Sequence, residues 1–174
     1  PPWFNKKAEF ILGDVHEKKD WIRALKGVDY VFHLASYMDM FPDFSMYTAI
    51  NTVSTALMFE TIVEKKYPVK KIIAASSQSV YGEGKYFSTQ YGHVYPEART
   101  FESVKQSYEV VCPVSGKHNL ESRPTDESSK IHPSSFYGIT KQVQEQMIIM
   151  AARLKNINGF ALRYQNVYGP GQSL

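Results

Sequence analysis

Tyr137 and Lys141 stand four residues apart in the stretch His132-Pro133-Ser134-Ser135-Phe136-Tyr137-Gly138-Ile139-Thr140-Lys141. On a helix that spacing puts them one above the other on one face. A phenol ordinarily loses its proton near pH of about 10, and an ammonium held beside it favours the phenolate and lowers that value. The pair therefore has the makings of a proton shuttle near neutral pH. Taken alone, the same spacing equally describes a solvated pair on a surface helix. A second group with chemical potential is Ser76-Ser77-Gln78-Ser79, small hydroxyl residues straight after an apolar run. Asp14 stands just past another apolar run, where it could meet a ligand or cap the helix that follows. His33 lies inside a third run, where a hydrogen-bonded core histidine is the plainer reading. Asn51 is polar among apolar neighbours, so it is either a helix-surface residue or an anchor whose amide must find partners.

The elements that must carry these residues follow from periodicity. Pro133 can open a helix, since its missing N–H is no loss in a first turn. No further proline appears before Lys155, and Ile139, Val143, Met147, Met150 and Leu154 recur at helical spacing. Glu9 to Leu12 reads as a buried strand, followed by Gly13-Asp14-Val15 and a helix at about 18–25. Tyr30 to Ala35 reads as a central parallel strand covered on both faces. About 44–66 reads as one long helix, with Ile50, Val53, Leu57 and Ile62 on or near one face. Lys70 to Ala75 is the next strand, and Gly159 to Tyr164 another, ending in the polar turn Gln165-Asn166-Val167-Tyr168-Gly169-Pro170-Gly171. Strands alternating with helices imply an α/β fold with a doubly wound parallel sheet and right-handed crossovers. In such sheets ligands meet the carboxyl ends of the strands, where Ser77 stands. Residues 83–130 break the rhythm with turn residues and scattered aromatics. They read as an insertion, either substrate-facing or a surface decoration.

Composition narrows the classes. The chain has 174 residues, enough for one domain with a sizeable core, and a net charge of +3 without a dense basic cluster, which argues against nucleic acid. No apolar run reaches the roughly 20 residues of a membrane span, so no membrane partner is expected. The single cysteine, Cys112, can form neither an internal disulfide nor a metal site by itself. No metal is expected, and a reducing, cytoplasmic setting fits. The chain opens on Pro1-Pro2-Trp3 and stops at Gln172-Ser173-Leu174, which suggests a piece of a longer protein.

Gly13-Asp14-Val15, His33-Leu34-Ala35, Asn51 with Thr55, Ser76-Ser77-x-x-Val80-Tyr81-Gly82, Tyr137-x-x-x-Lys141 and Arg163-Tyr164-x-Asn166-Val167-Tyr168-Gly169-Pro170 follow one another in order. Together they resemble the extended short-chain dehydrogenase/reductase family, in its nucleotide-sugar epimerase and dehydratase branch. The resemblance implies an NAD(P)-binding Rossmann-type domain over 1–174, with the insertion at about 83–130. It implies that Ser77, Tyr137 and Lys141 are catalytic, with Ser77 bonding the reacting oxygen and Tyr137 exchanging the proton. Asp14, Val15, Leu34, Ala35, Ser36, Asn51, Tyr137, Lys141 and Tyr164 would line the cofactor. Ser77, Gln78 and Asn166 would meet the sugar nucleotide. It also implies a homodimer through the helices at about 44–66 and 134–155, both of which carry apolar residues beyond one stripe. Two departures stand beside it. The family's Gly-x-x-Gly-x-x-Gly is not among the ten glycines, so the first βαβ unit is expected upstream and the carboxyl-terminal substrate part downstream. The stretch between Ser77 and Tyr137 is also longer than in most relatives.

The leading expectation is thus an NAD-dependent 4-epimerase of a nucleotide sugar, such as a dTDP-6-deoxyhexose, working by transient oxidation at C4. NADP stays open, because the phosphate-discriminating residue normally follows the second strand. A dehydratase of this branch usually has an Asp-Glu pair where this chain has Gln78-Ser79, which disfavours it. A hydroxysteroid-type dehydrogenase would use the same three residues. A non-catalytic cofactor-binding scaffold is the alternative from another class, and the intact Ser77, Tyr137 and Lys141 set speaks against it.

Overall fold

The structure, a computed structural model of the chain, describes residues 5–39 and 42–170. Gly171 and Gln172, the end of the last polar turn, lie outside the described residues. The main sheet has three parallel strands: β1 (Tyr30–His33), β2 (Lys71–Ser77) and β6 (Asn158–Tyr164), in the order β1-β2-β6. Helix α1 (Lys18–Ala24) precedes β1. A long crossover of α2 (Phe44–Tyr47), a π-helical stretch Thr48–Val53 and α3 (Ser54–Lys65) joins β1 to β2, and α5 (Phe136–Leu154) leads into β6. Two apolar residue types dominate β2, whose alternation is regular: Ile72, Ala74 and Ser76 are buried and their neighbours half-buried. The core lies on that buried face, where Ile72 and Ala74 meet Trp21, Met58, Phe59, Ile62 and Ile148 from α1, α3 and α5.

Three expectations need correction. Glu9–Leu12 is not a buried strand: Phe10 and Leu12 are exposed at 74% and 80%. A strand needs a hydrogen-bonded neighbour. In a doubly wound sheet of order 3-2-1-4-5-6 two strands separate the third from the fourth. With Tyr30–His33 as the fourth, no strand among the described residues lies beside Glu9–Leu12. For the same reason β1 is an edge strand here. Tyr30, Phe32 and Leu34 are exposed, so the run is covered on one face only. Finally, α5 begins at Phe136 rather than Pro133. Ser135 is its N-cap, its Oγ accepting from the Gly138 N–H at 3.0 Å, a stronger start signal than the proline.

The interval 83–130 is folded. Strands β3 (Tyr86–Ser88), β4 (Gly92–Val94) and β5 (Glu121–Ser122) form a small antiparallel sheet ordered β4-β3-β5, with a short helix α4 (Phe101–Gln106) between β4 and β5. Arg99 pairs with Glu83 at 2.9 Å and Lys85 with Asp126 at 3.1 Å, tying both ends of the excursion together. Asp126 also accepts from Ser128 and Ser129, which together with Lys85 hold its carboxyl well below the usual carboxylate range.

Candidate active site

The site starts at the carboxyl end of β2. Ser77 ends the strand in extended conformation and caps the 3-10 turn Gln78–Tyr81, its Oγ accepting from the Ser79 N–H at 3.1 Å. The first turn of α5 rests on this turn. A Cβ on Gly138 would fall 2.5 Å from the Ser79 carbonyl oxygen, so only glycine permits the approach. Gly82 closes the turn at φ +63°, and a Cβ there would strike the His132 carbonyl at 2.1 Å. Two backbone approaches thus hold the Ser77 turn against the Tyr137 helix.

On α5, Tyr137 and Lys141 share a face, with the Lys141 Nζ 5.9 Å from the centre of the Tyr137 ring. Lys141 is 1% exposed. Its Nζ donates to the Ala75 carbonyl at 2.7 Å and to Gln144 Oε1 at 2.9 Å. An ammonium has three N–H groups, so one remains for a further acceptor. Burial disfavours the charge and brings its pKa down to about 8.

Asn51 proves to be an anchor and not a surface residue. It is fully buried in the π-helical stretch. Its Oδ1 accepts from the Tyr37 N–H at 2.7 Å and from Ser36 Oγ at 3.2 Å. Its Nδ2 donates to the Tyr37 carbonyl and to Thr140 Oγ1, both at 3.0 Å. One amide thereby fixes the loop after β1 to the residue beside Lys141. His33 is a core residue bonded to Thr55 Oγ1 at 3.0 Å. Burial first, and the Lys141 charge second, bring its pKa down to about 4.

Gln78, Asn166 and Tyr164 also gather at this end of the sheet. Gln78 Nε2 donates to Asn166 Oδ1 at 3.2 Å, and Tyr164 is in register beside Ser77. Leu34 is exposed after β1, and Ala35 and Ser36 follow it toward Asn51. Asp14 and Val15 stand apart from this cluster. They line a small cleft of about 160 Å³ with Asp20 and Trp21. Asp14 does not cap α1: its Oδ1 accepts from the His16 N–H at 2.9 Å in a local turn, and Glu17 is the N-cap. A polar cleft of about 360 Å³ lies next to the Ser77 turn, lined by Gln78, Ser79, Tyr81–Gly84, Thr125, Ser134, Ser135 and Gln165. The excursion contributes Glu83, Gly84 and Thr125 to it.

Sequence reasoning missed Gln144 and Glu145. Both are buried. Glu145 accepts from Arg163 at 2.9 Å and from Ser76 Oγ, and Arg163 also donates to the Tyr81 hydroxyl at 2.8 Å. The signal was available, because residues three and four beyond Lys141 share its face on a helix. Among the described residues no group of His, Cys, Asp and Glu has the arrangement of a metal site.

A parallel sheet with helical crossovers, carrying a serine at the carboxyl end of β2 and a tyrosine and lysine on the helix packed against that end, defines a Rossmann-type domain of the short-chain dehydrogenase/reductase kind. The chain belongs to the NAD dependent epimerase/dehydratase family, whose profile matches residues 1–173. It is 30% identical over its whole length to dTDP-L-rhamnose 4-epimerase of Burkholderia thailandensis, of which it covers 48%. Over 97% of its length it is 31% identical to a putative UDP-glucose 4-epimerase of Methanocaldococcus jannaschii, covering 44% of that protein. Its fold matches the crystal structure of UDP-glucuronic acid 4-epimerase from Bacillus cereus in complex with NAD, with a TM-score of 0.68 and 26% identity, over 97% of this chain and 42% of that one. The chain therefore spans about half the length of the curated relatives it matches.

Proposed function

We propose that the protein containing this chain is an NAD-dependent nucleotide-sugar 4-epimerase, with Ser77, Tyr137 and Lys141 as its catalytic residues. The observation that carries the reading is the buried Lys141 ammonium beside Tyr137, with Ser77 on the neighbouring turn and no carboxylate at positions 78 and 79. The residues present fit the nicotinamide-ribose end of the cofactor: Lys141 keeps an N–H for a ribose hydroxyl, and Leu34, Ala35, Ser36 and Tyr164 stand at the strand ends beside it. Asp14 and Val15 are assigned to the adenine end. NAD, when bound, supplies reversible hydride acceptance at the sugar C4.

The protein's own part is the proton and the placement. Tyr137, as phenolate, takes the C4 hydroxyl proton and later returns one. The charge of Lys141 favours that phenolate. Ser77 Oγ donates to the same sugar oxygen as negative charge grows on it. Gln78 and Asn166, already joined, present amides to the sugar nucleotide. The polar cleft beside them has the hydroxyls and amides that a sugar requires. The match to a dTDP-L-rhamnose 4-epimerase supports a dTDP-6-deoxyhexose as the first substrate to test.

A second copy of the chain is the proposed partner. An apolar groove of about 510 Å³ runs between α3 and α5, lined by Ala56, Phe59, Val63, Met147, Met150, Ala151 and Leu154.

The test uses the full-length protein purified without added cofactor. Heat-released NAD, together with C4 epimerisation of a dTDP- or UDP-linked sugar by NMR and no net NADH, is the expected outcome. Stoichiometric NADH from an alcohol without epimerisation overturns the epimerase reading in favour of a dehydrogenase. Tyr137→Phe is expected to lose about 10²-fold or more in kcat while still retaining NAD.

A further inference from the structure

The buried face of α5 holds an amide that the reaction itself does not use. Gln144 is 1% exposed, one turn beyond Lys141. Its Oε1 accepts from the Lys141 Nζ at 2.9 Å, and its Nε2 donates to Thr55 Oγ1 at 3.0 Å. The amide can face only this way, because an ammonium donates and cannot accept. Thr55 Oγ1 in turn donates to the Asn51 carbonyl at 3.1 Å. Its one hydrogen is thereby committed, and it receives Gln144 on one lone pair. The contact from His33 Nε2 at 3.0 Å must then also be a donation. His33 is the Nε2–H tautomer, held in place by the edge of Trp21 at 5.6 Å between ring centres.

We propose that Gln144 is a positioning residue for Lys141: its amide, backed by Thr55 and His33, sets the depth and direction of the ammonium beside Tyr137. The inference rests on the reading of Tyr137 and Lys141 given above. Three elements meet in this strut, α5 through Lys141 and Gln144, α3 through Thr55, and β1 through His33. It is not a proton wire. Oε1 only accepts and Nε2 only donates, so no proton passes from Lys141 to Thr55. What it transmits is position and charge stabilisation. A buried ammonium is held charged by its hydrogen bonds, and Ala75 and Gln144 supply two of them. Without Gln144 the ammonium loses an acceptor, gives up its proton more readily, and supports the Tyr137 phenolate less. The titratable groups around it are His33 from β1 and Tyr137 and Glu145 from α5. Glu145 is engaged by Arg163 of β6 and Ser76 of β2, while α3 contributes only Thr55 and the Asn51 carbonyl comes from the stretch before it.

The experiment compares full-length wild type with Gln144→Leu, Thr55→Val and Thr55→Ser, each stripped of cofactor. NMR titration of 13C-labelled lysine, with the Lys141 resonance assigned by its absence in Lys141→Arg, gives the ionisation midpoint of the Lys141 ammonium. Gln144→Leu is expected to lower that midpoint by about half a pH unit or more and to move the alkaline limb of the kcat profile down with it. Its KM for the nucleotide sugar is expected to stay within roughly twofold, since Gln144 does not reach substrate. Thr55→Val is expected to shift the midpoint the same way, and Thr55→Ser, which keeps the hydroxyl, to restore it. A folded Gln144→Leu whose Lys141 titration superimposes on wild type overturns the proposal. If Gln144→Leu does not fold, identical midpoints in Thr55→Val and Thr55→Ser overturn it. The titration needs no turnover, so absence of C4 epimerisation in wild type would sink the epimerase reading while this test still stands.

Discussion

Lys141 carries its charge in a place that works against charge. Burial brings its pKa down to about 8, so the ammonium is present below that pH and is lost as pH rises through it. In the proposed mechanism its support for the proton transfer at Tyr137 is lost with it. The kcat/KM profile of the full-length enzyme is therefore expected to fall on its alkaline side from about pH 8, and a profile still level at pH 10 would contradict the assignment. His33 has the opposite relation to pH. Its pKa is lowered from 6.5 to about 4, chiefly by burial. The unfolded chain binds the proton first as pH falls, so stability is fully present above about pH 6.5 and is lost on the way down to pH 4. The size is roughly 3 kcal/mol. Urea denaturation at several pH values is expected to show this loss in wild type and a much shallower one in His33→Gln, which removes the titrating group and whose longer amide can place an N–H where the ring Nε2 bonds Thr55.

Helix α5 is amphipathic in an inverted sense. The apolar stripe Ile139, Val143, Met150 and Leu154 is exposed, at 47%, 37%, 65% and 75%. The face turned inward carries Thr140, Lys141, Gln144 and Glu145, with Ile148 and Ala152 completing it. Polar groups at those positions are tolerable because each has a partner on β2, β6, α3 or the π-helical stretch, and unsatisfied ones would each cost about 1–3 kcal/mol. The outer stripe, with Val63 of α3, is the surface assigned to a second copy. Met150→Glu combined with Leu154→Glu is expected to turn a full-length dimer into a monomer at micromolar concentration, since two desolvated carboxylates would stand in the interface. Unchanged sedimentation of the variant, or a monomeric wild type, would remove the dimer proposal. The π-helical stretch is the other functional departure at this scale. Its wider turns carry Asn51 between the loop after β1 and Thr140, a use of π geometry common at functional sites.

At the scale of the molecule, α1, α3 and α5 pack on one face of the main sheet. The opposite face presents Phe32, Phe160 and Leu162, exposed at 65%, 47% and 41%. These are neighbours across β1, β2 and β6, since Phe32 is in register with Ile73 and Ile73 with Phe160. Contiguous apolar surface of this kind binds apolar probes. The 174-residue chain expressed by itself is expected to enhance the fluorescence of an anilinonaphthalene dye, and Phe32→Ser with Phe160→Ser to cut the signal by roughly half. A signal unaffected by the pair would place the dye elsewhere.

The order of the main-sheet strands and the helices packed on them was legible in the residues alone, because hydrophobic period and small-residue turns are local properties: β2, β6, α1 and the 44–66 helix all stand within a few residues of where periodicity put them. So was the Tyr137–Lys141 face, which follows from helix geometry over four residues. What the tertiary structure decided were matters of neighbourhood. Whether Glu9–Leu12 forms a strand depends on a partner that its own residues cannot name. Which stripe of α5 faces inward was not legible in its apolar spacing, because a network of paired polar groups outcompeted an apolar face for the interior. The depth of Lys141 and the tautomer of His33 arise only where three elements, distant in sequence, bring their donors and acceptors within hydrogen-bonding distance.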